Sequence, residues 1–209
     1  MATSISQVKL QHFFDTPLRK DFKDTAHIII DMQRQFCDPN YANGLGCHET
    51  EKTAAHLSQT VIPNFKRLSI QTVFCHYVDH QYEQNHPRFN MGGFYQVTPE
   101  ERDLTASKRK ESAFEKSDLK QKLQNHKIRN LIVSGFYTSS CVKKTVLDGI
   151  TAGFKICVLQ DSVEDAKHIK AFSTGKIWNL AQMSKKGATI VDSTDVTEYI
   201  KMFHSIEMS

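Results

Sequence analysis

The chain has no C-x-x-C pair, no internal repeat, no low-complexity tract and no break in composition. Each absence removes a class of architecture. Its five cysteines, Cys37, Cys47, Cys75, Cys141 and Cys157, form an odd, scattered set, which suits reduced thiols better than a disulfide framework. No apolar run approaches the ~20 residues needed to span a bilayer, and the first 25 residues lack an apolar core of signal-peptide length. A cytoplasmic protein with no membrane partner is therefore expected. The net charge of +4 comes from Lys and Arg interleaved with Asp and Glu rather than from a basic block, so no nucleic-acid partner is expected either. What remains is 209 residues of ordinary composition, enough for one domain with a core that needs no staples.

Short apolar runs alternate with helical patterns along that length. Residues 26–30, Ala-His-Ile-Ile-Ile, are short and β-branched and predict a buried strand ending at Asp31. A helical pattern runs over 51–68, where Pro63 is expected to kink it, and a strand follows over 72–77. Residues 80–107 form a polar stretch broken by Pro87, Gly92, Gly93 and Pro99, which reads as a long lid or binding loop. Beyond it the pattern predicts a helix opening at Ser117, a strand over 131–133 and a helix over 141–152 stopped by Gly153. A strand over 154–159, a helix over 164–186, a strand over 188–191 and a helix over 194–202 complete the order. Such alternation predicts a single-domain α/β fold, a three-layer α/β/α sandwich with a mainly parallel, Rossmann-like sheet, whose ligands bind beyond the carboxyl ends of the strands.

That topology makes neighbours of distant positions. Asp31 ends the first strand, and Cys141 follows the strand over 131–133, so both belong at one edge of the sheet. Cys141 also begins a helix, where backbone N–H groups and the positive end of the helix dipole are expected to depress its pKa and favour a thiolate. The plainer alternative is a small buried hydrophobe, the common fate of a free cysteine.

Three segments together, IIIDMQRQF (28–36), KRKESAF (108–114) and SGFYTSSCVKKTVLDGITAGFKICVLQDSVED (134–165), resemble the isochorismatase-like superfamily of cysteine hydrolases, which includes nicotinamidases and N-carbamoylsarcosine amidases. The resemblance covers roughly residues 26–199. It implies a hydrolase domain over 26–205 behind an N-terminal extension, 1–25, and a catalytic triad of Asp31, Lys108 and Cys141. Lys110 is the rival lysine, two residues closer to Ser112. The resemblance also implies a non-proline cis peptide at Phe136–Tyr137, an oxyanion hole at the backbone N–H groups of Tyr137 and Cys141, and a homo-oligomer. In such a triad the carboxylate takes the thiol proton and later returns it to the departing amine, while the ammonium holds both in place.

The substrate is not fixed by this resemblance. Cysteine at 141, where isochorismatases proper carry glycine, favours cleavage of a C–N bond in a small-molecule amide. Hydrolysis of another bond, or a catalytically silent binding module on the same fold, are the alternatives. Nicotinamidases also hold a metal through an Asp-x-His-Pro segment after the second strand. Here Tyr77 stands where the acid would fall, the pattern is broken, and no cofactor is expected. Asp79, His80 and His86 are the residues left that could hold a metal in another arrangement. Cys37, Cys47 and His48 lack the paired spacing of a zinc site, and Cys157 reads as core. Phe36 and Tyr137 are expected to wall the substrate pocket. Phe89, Phe94 and Tyr95 form either a pocket lid or a satellite cluster that packs the loop down.

Overall fold

A computed structural model describes residues 4–15, 21–78, 92–169 and 175–206. Six strands form one sheet: β1 (Thr25–Ile30), β2 (Gln71–Tyr77), β3 (Leu104–Lys108), β4 (Asn130–Phe136), β5 (Lys155–Glu164) and β6 (Thr189–Val191). Every pairing is parallel, in the order β3-β2-β1-β4-β5-β6. The α/β expectation therefore holds.

Parallel pairing explains why β1 ends in three successive isoleucines. Its six residues are all buried, because helices cover both faces of the sheet. Alternation along each strand divides the core in two. Ile29, Phe74, Ile132 and Cys157 join the cluster beneath α1 (Ile5–Phe14), α3 (His48–His56), α4 (Ile62–Arg67) and α8 (Ser193–Ile206). Ile28, Ile30, Val73, Leu131 and Val133 join the cluster beneath α5 (Leu119–Asn125), α6 (Lys143–Thr151) and α7 (Lys176–Lys185). Each fully buried aliphatic side chain contributes about 1.5–3 kcal/mol over exposure.

Four elements depart from the sequence reading. The helix expected over 51–68 starts at His48 and contains a wide turn over Leu57–Val61 with i→i+5 bonding. Pro63 has no N–H to donate and its ring would press on the preceding turn, and the wide turn lies just upstream of it. The end of the expected 80–107 loop is strand β3, paired to the edge of β2. Among the described residues of the expected 164–186 helix only α7 is helical; β5 runs on to Glu164 after a register shift between Val133 and Gly135, pairing Gly135 with Val163. Finally, α1 lies within the stretch read as an extension and buries Leu10, Phe13 and Phe14 against the core.

Candidate active site

The strand order reverses between β1 and β4, and it is there that an open α/β sheet leaves a crevice beyond its strand ends. The two backbones come unusually close. Gly135 pairs with Ile30, and a Cβ on Gly135 would stand 2.1 Å from the Ile30 carbonyl oxygen. Its φ of 112° also requires glycine. One residue after β1, Asp31 adopts φ 52°, a left-handed conformation that Asp tolerates better than most residues. Its N–H donates to the Cys75 carbonyl at 2.8 Å, and the side chain is buried.

Beyond β4 the chain passes through a cis Phe136–Tyr137 peptide and a wide turn over Thr138–Val142 that carries Cys141. Val142 N–H closes the turn on the Tyr137 carbonyl at 3.1 Å. Asp165 ties it down, its carboxylate accepting from the backbone N–H and the hydroxyl of Ser139 at 2.9 and 2.8 Å.

Lys108 ends β3, which β2 separates from β1. Two strand spacings amount to about 9–10 Å, a gap that a short side chain cannot cross. The lysine crosses it fully buried, placing Nζ 2.8 Å from Asp31 Oδ2 and within 3.4 Å of Cys141 Sγ. The ammonium also donates to the Lys110 carbonyl at 3.1 Å. Lys110 itself, past the end of the strand, is exposed. The structure thus brings Asp31, Lys108 and Cys141 together and leaves the Lys110 side chain outside.

Burial and charge set the protonation states. Burial raises the Asp31 carboxyl above its ordinary value, and the Lys108 ammonium only partly offsets this. Burial pulls Lys108 down, but Asp31 and Cys141 together leave it above its usual value. The Cys141 thiol is pushed up to about 12, first by burial and then by the Asp31 charge, against the pull of Lys108. This corrects the expected depressed pKa: burial and the Asp31 charge outweigh Lys108, and Cys141 rests as a thiol.

Phe36 and Tyr137 do meet, ring to edge at 5.8 Å. The Tyr137 hydroxyl lies 3.0 and 3.1 Å from the Phe36 and Leu45 carbonyl oxygens, which ties its ring to the segment after β1. The Phe94 ring packs on Phe74 and His76 at 5.4 and 5.3 Å, and the Tyr95 hydroxyl reaches Glu51 at 3.2 Å. Both rings act as a satellite of the core. Phe89, Asp79, His80 and His86 lie outside the described residues. Among the described residues no three His, Cys, Asp or Glu side chains gather as a metal site would require. At Tyr77 an aromatic ring faces the Lys108 ammonium at 4.9 Å.

A family model described as the Isochorismatase domain matches residues 25–195. The chain belongs to the isochorismatase family. It is 26% identical over 112 residues to an N-carbamoylsarcosine amidase from Arthrobacter sp, a match covering 53% of this chain and 40% of the amidase. The chain thus spans less than half the length of that relative. Identity is 23% over 188 residues to the secreted isochorismatase effector Isc1 of Verticillium dahliae, covering 86% and 94% of the two chains. A cysteine hydrolase from Pseudomonas syringae pv. phaseolicola superposes with a TM-score of 0.75 at 18% identity, over 90% of this chain and 96% of the other. The fold is therefore that of the isochorismatase-family hydrolases. Among the described residues no helix is long and apolar enough to cross a membrane.

Proposed function

We propose that this isochorismatase-family hydrolase cleaves a C–N bond, amide or carbamoyl, of a small molecule through a thioester on Cys141. The observation that carries the reading is one buried ammonium, Lys108, shared between the Asp31 carboxylate at 2.8 Å and the Cys141 sulfur at 3.4 Å. Because the resting sulfur is a thiol, Asp31 removes its proton as Sγ attacks the carbonyl carbon. The C=O π electrons move onto oxygen, and the backbone N–H groups of Tyr137 and Cys141 are assigned to receive that oxyanion. Collapse restores the C=O and breaks the C–N bond, while the proton on Asp31 passes to the leaving nitrogen. Water, deprotonated by Asp31, then attacks the thioester; the acid leaves and the thiol regains its proton.

Lys108 holds the two reacting groups at one point throughout, and Phe36 and Tyr137 give the pocket flat walls suited to a small planar or cyclic amide. Five free thiols suit a reducing compartment, so we place the protein in the cytoplasm, and the family resemblance supports a homo-oligomer.

The test is ammonia release across a panel of small amides, ureido acids and carbamoyl compounds, with Cys141→Ala as control and mass spectrometry of trapped enzyme. An acyl adduct on Cys141 and an inactive Cys141→Ala are expected. Undiminished turnover in Cys141→Ala, or an adduct confined to Cys37 or Cys75, would sink the reading. A panel with no turnover and no adduct would favour a silent binding domain.

A further inference from the structure

Lys108 reaches Asp31 only by crossing β2, and the residue it crosses is Tyr77. The two are direct partners in the β2–β3 register, and the lysine Nζ lies 4.9 Å from the centre of the Tyr77 ring. The ammonium pairs with the Asp31 carboxylate at 2.8 Å and donates to the Cys141 sulfur and the Lys110 carbonyl. The Tyr77 ring lies beneath this cationic end of the side chain. An aromatic face attracts a cation through its quadrupole, and more strongly where water is excluded, as it is around this fully buried lysine.

The backbone that carries the ring is itself held at both its N–H and its carbonyl. Gln33 accepts from the Tyr77 N–H at 2.7 Å through its side-chain oxygen and donates its amide N–H to the Tyr77 carbonyl at 3.1 Å. On the far side, Val78 N–H donates to the Lys108 carbonyl at 2.9 Å. Gln33 lies two residues after Asp31, so one short segment positions the carboxylate and also clamps the residue beneath the lysine. We propose that Tyr77 is a positioning residue: its ring face carries the Lys108 side chain across the sheet and holds the ammonium on Asp31 and Cys141 together.

This inference rests on the reading of Lys108 as the cation of the site. A second consequence concerns shape. A leucine would fill comparable space without a π face, whereas phenylalanine keeps the face and drops only the hydroxyl. The two variants therefore separate the quadrupole from bulk. The titratable groups facing the pair are Asp31 at the end of β1, Cys75 on β2 and Cys141 after β4, whereas His76, between Cys75 and Tyr77, turns to the other face and packs on Phe94. The His76 imidazole is held below its ordinary value chiefly by burial, although the Asp31 charge opposes this, and it shares a hydrogen bond with the Ser107 hydroxyl at 3.0 Å.

The experiment is the rate of Cys141 alkylation by iodoacetamide from pH 6 to 10, read by mass spectrometry, with melting temperature in parallel. It uses Tyr77→Leu, Tyr77→Phe and, as the limit without the cation, Lys108→Ala. Expected is an alkylation rate in Tyr77→Leu reduced about 3- to 10-fold toward the Lys108→Ala limit, with the rate regained in Tyr77→Phe. Should Tyr77→Leu fail to fold, Tyr77→Met carries the same expectation. Parent-like alkylation in the leucine or methionine variant overturns the proposal, as does equal slowing in Tyr77→Phe. Alkylation needs no substrate, so an amide panel without turnover would sink the hydrolase reading and leave this test standing. Parent-like alkylation in Lys108→Ala would instead remove the premise that the lysine serves the thiol.

Discussion

A buried ammonium with two acidic neighbours is the residue on which the proposed chemistry depends. Removing one member of such a pair leaves the other charge uncompensated away from water, typically a loss of ~3–5 kcal/mol, which corresponds to roughly 10²–10³ in rate if it falls on the transition state. Lys108→Ala is therefore expected to lower kcat/KM by about two orders of magnitude or more. Lys110 enters the site only through its carbonyl oxygen, which alanine also supplies, so Lys110→Ala is expected to keep near-parent kinetics. The reverse result would move the functional lysine by two residues. The thiol adds a pH signature. With Cys141 pushed up to about 12, the parent's alkylation rate should climb from pH 7 to 10 without levelling; a plateau near neutrality would mean a preformed thiolate. The sign for stability is equally definite. The raised Asp31 pKa means that the folded chain binds that proton more tightly than the unfolded chain, so ionising Asp31 subtracts from stability as pH rises above the unfolded value. The raised Lys108 pKa adds stability that is present below the lysine's unfolded value and lost at higher pH.

At the scale of elements, the site depends on β1 and β4 ending side by side with almost no space between their backbones. Gly135→Ala would set a Cβ 2.1 Å from the Ile30 oxygen and 2.6 Å from its nitrogen, at a φ of 112°. Neither strand can yield without moving Asp31 or the Cys141 turn. A loss of at least ~3 kcal/mol in urea unfolding is expected. Gly153→Ala, at φ 91° but with nothing within 4 Å of the added Cβ, should cost only about 1 kcal/mol of backbone strain; equal losses in both would refute the close-approach argument. The same elements show what could be read in advance. Asp31 and Cys141 were legible because strand, turn and helix follow one another in plain apolar patterns. Strand β3 was not: Leu-Thr-Ala-Ser-Lys at an edge offers two apolar residues after a polar stretch, and only the family spacing pointed to its lysine. Helix α1 was missed although Ser4 and Gln7 form a capping box, each satisfying the other's backbone N–H, a signal that Ser-x-x-Gln before an apolar run does carry. In the sequence Tyr77 stands out only as a departure from a metal motif. Its contact with Lys108 follows from cross-strand register, which no local pattern encodes.

Over the whole molecule, the two faces of the sheet have different duties. The crevice lies at the carboxyl ends of β1, β3 and β4, whereas α1 packs against α8, β5 and β6 and closes the core cluster on one face. Phe14 is the centre of that closure. It stacks on Tyr199 at 5.6 Å with rings nearly parallel, and meets Phe13 and Phe22 edge-on at 4.6 and 4.9 Å. Lysines add ties along the rim: Lys9 donates to the Ile190 carbonyl at 3.3 Å, and Lys155 donates to the His12 carbonyl and pairs with Asp15. Exposed ties of this kind contribute little, so the aromatic packing decides. Phe14→Ala is expected to cost ~3–5 kcal/mol, which for a chain of this size lowers Tm by roughly 10 °C. Ile5, 78% exposed on the same helix, has little to lose, and Ile5→Ala should leave Tm unchanged. Because α1 supplies none of the proposed triad, Phe14→Ala should retain the parent's Cys141 alkylation rate at temperatures where it is folded. A Phe14→Ala protein that melts like the parent would show that α1 is an appendage; one that melts early with normal alkylation would place it in the core and outside the chemistry.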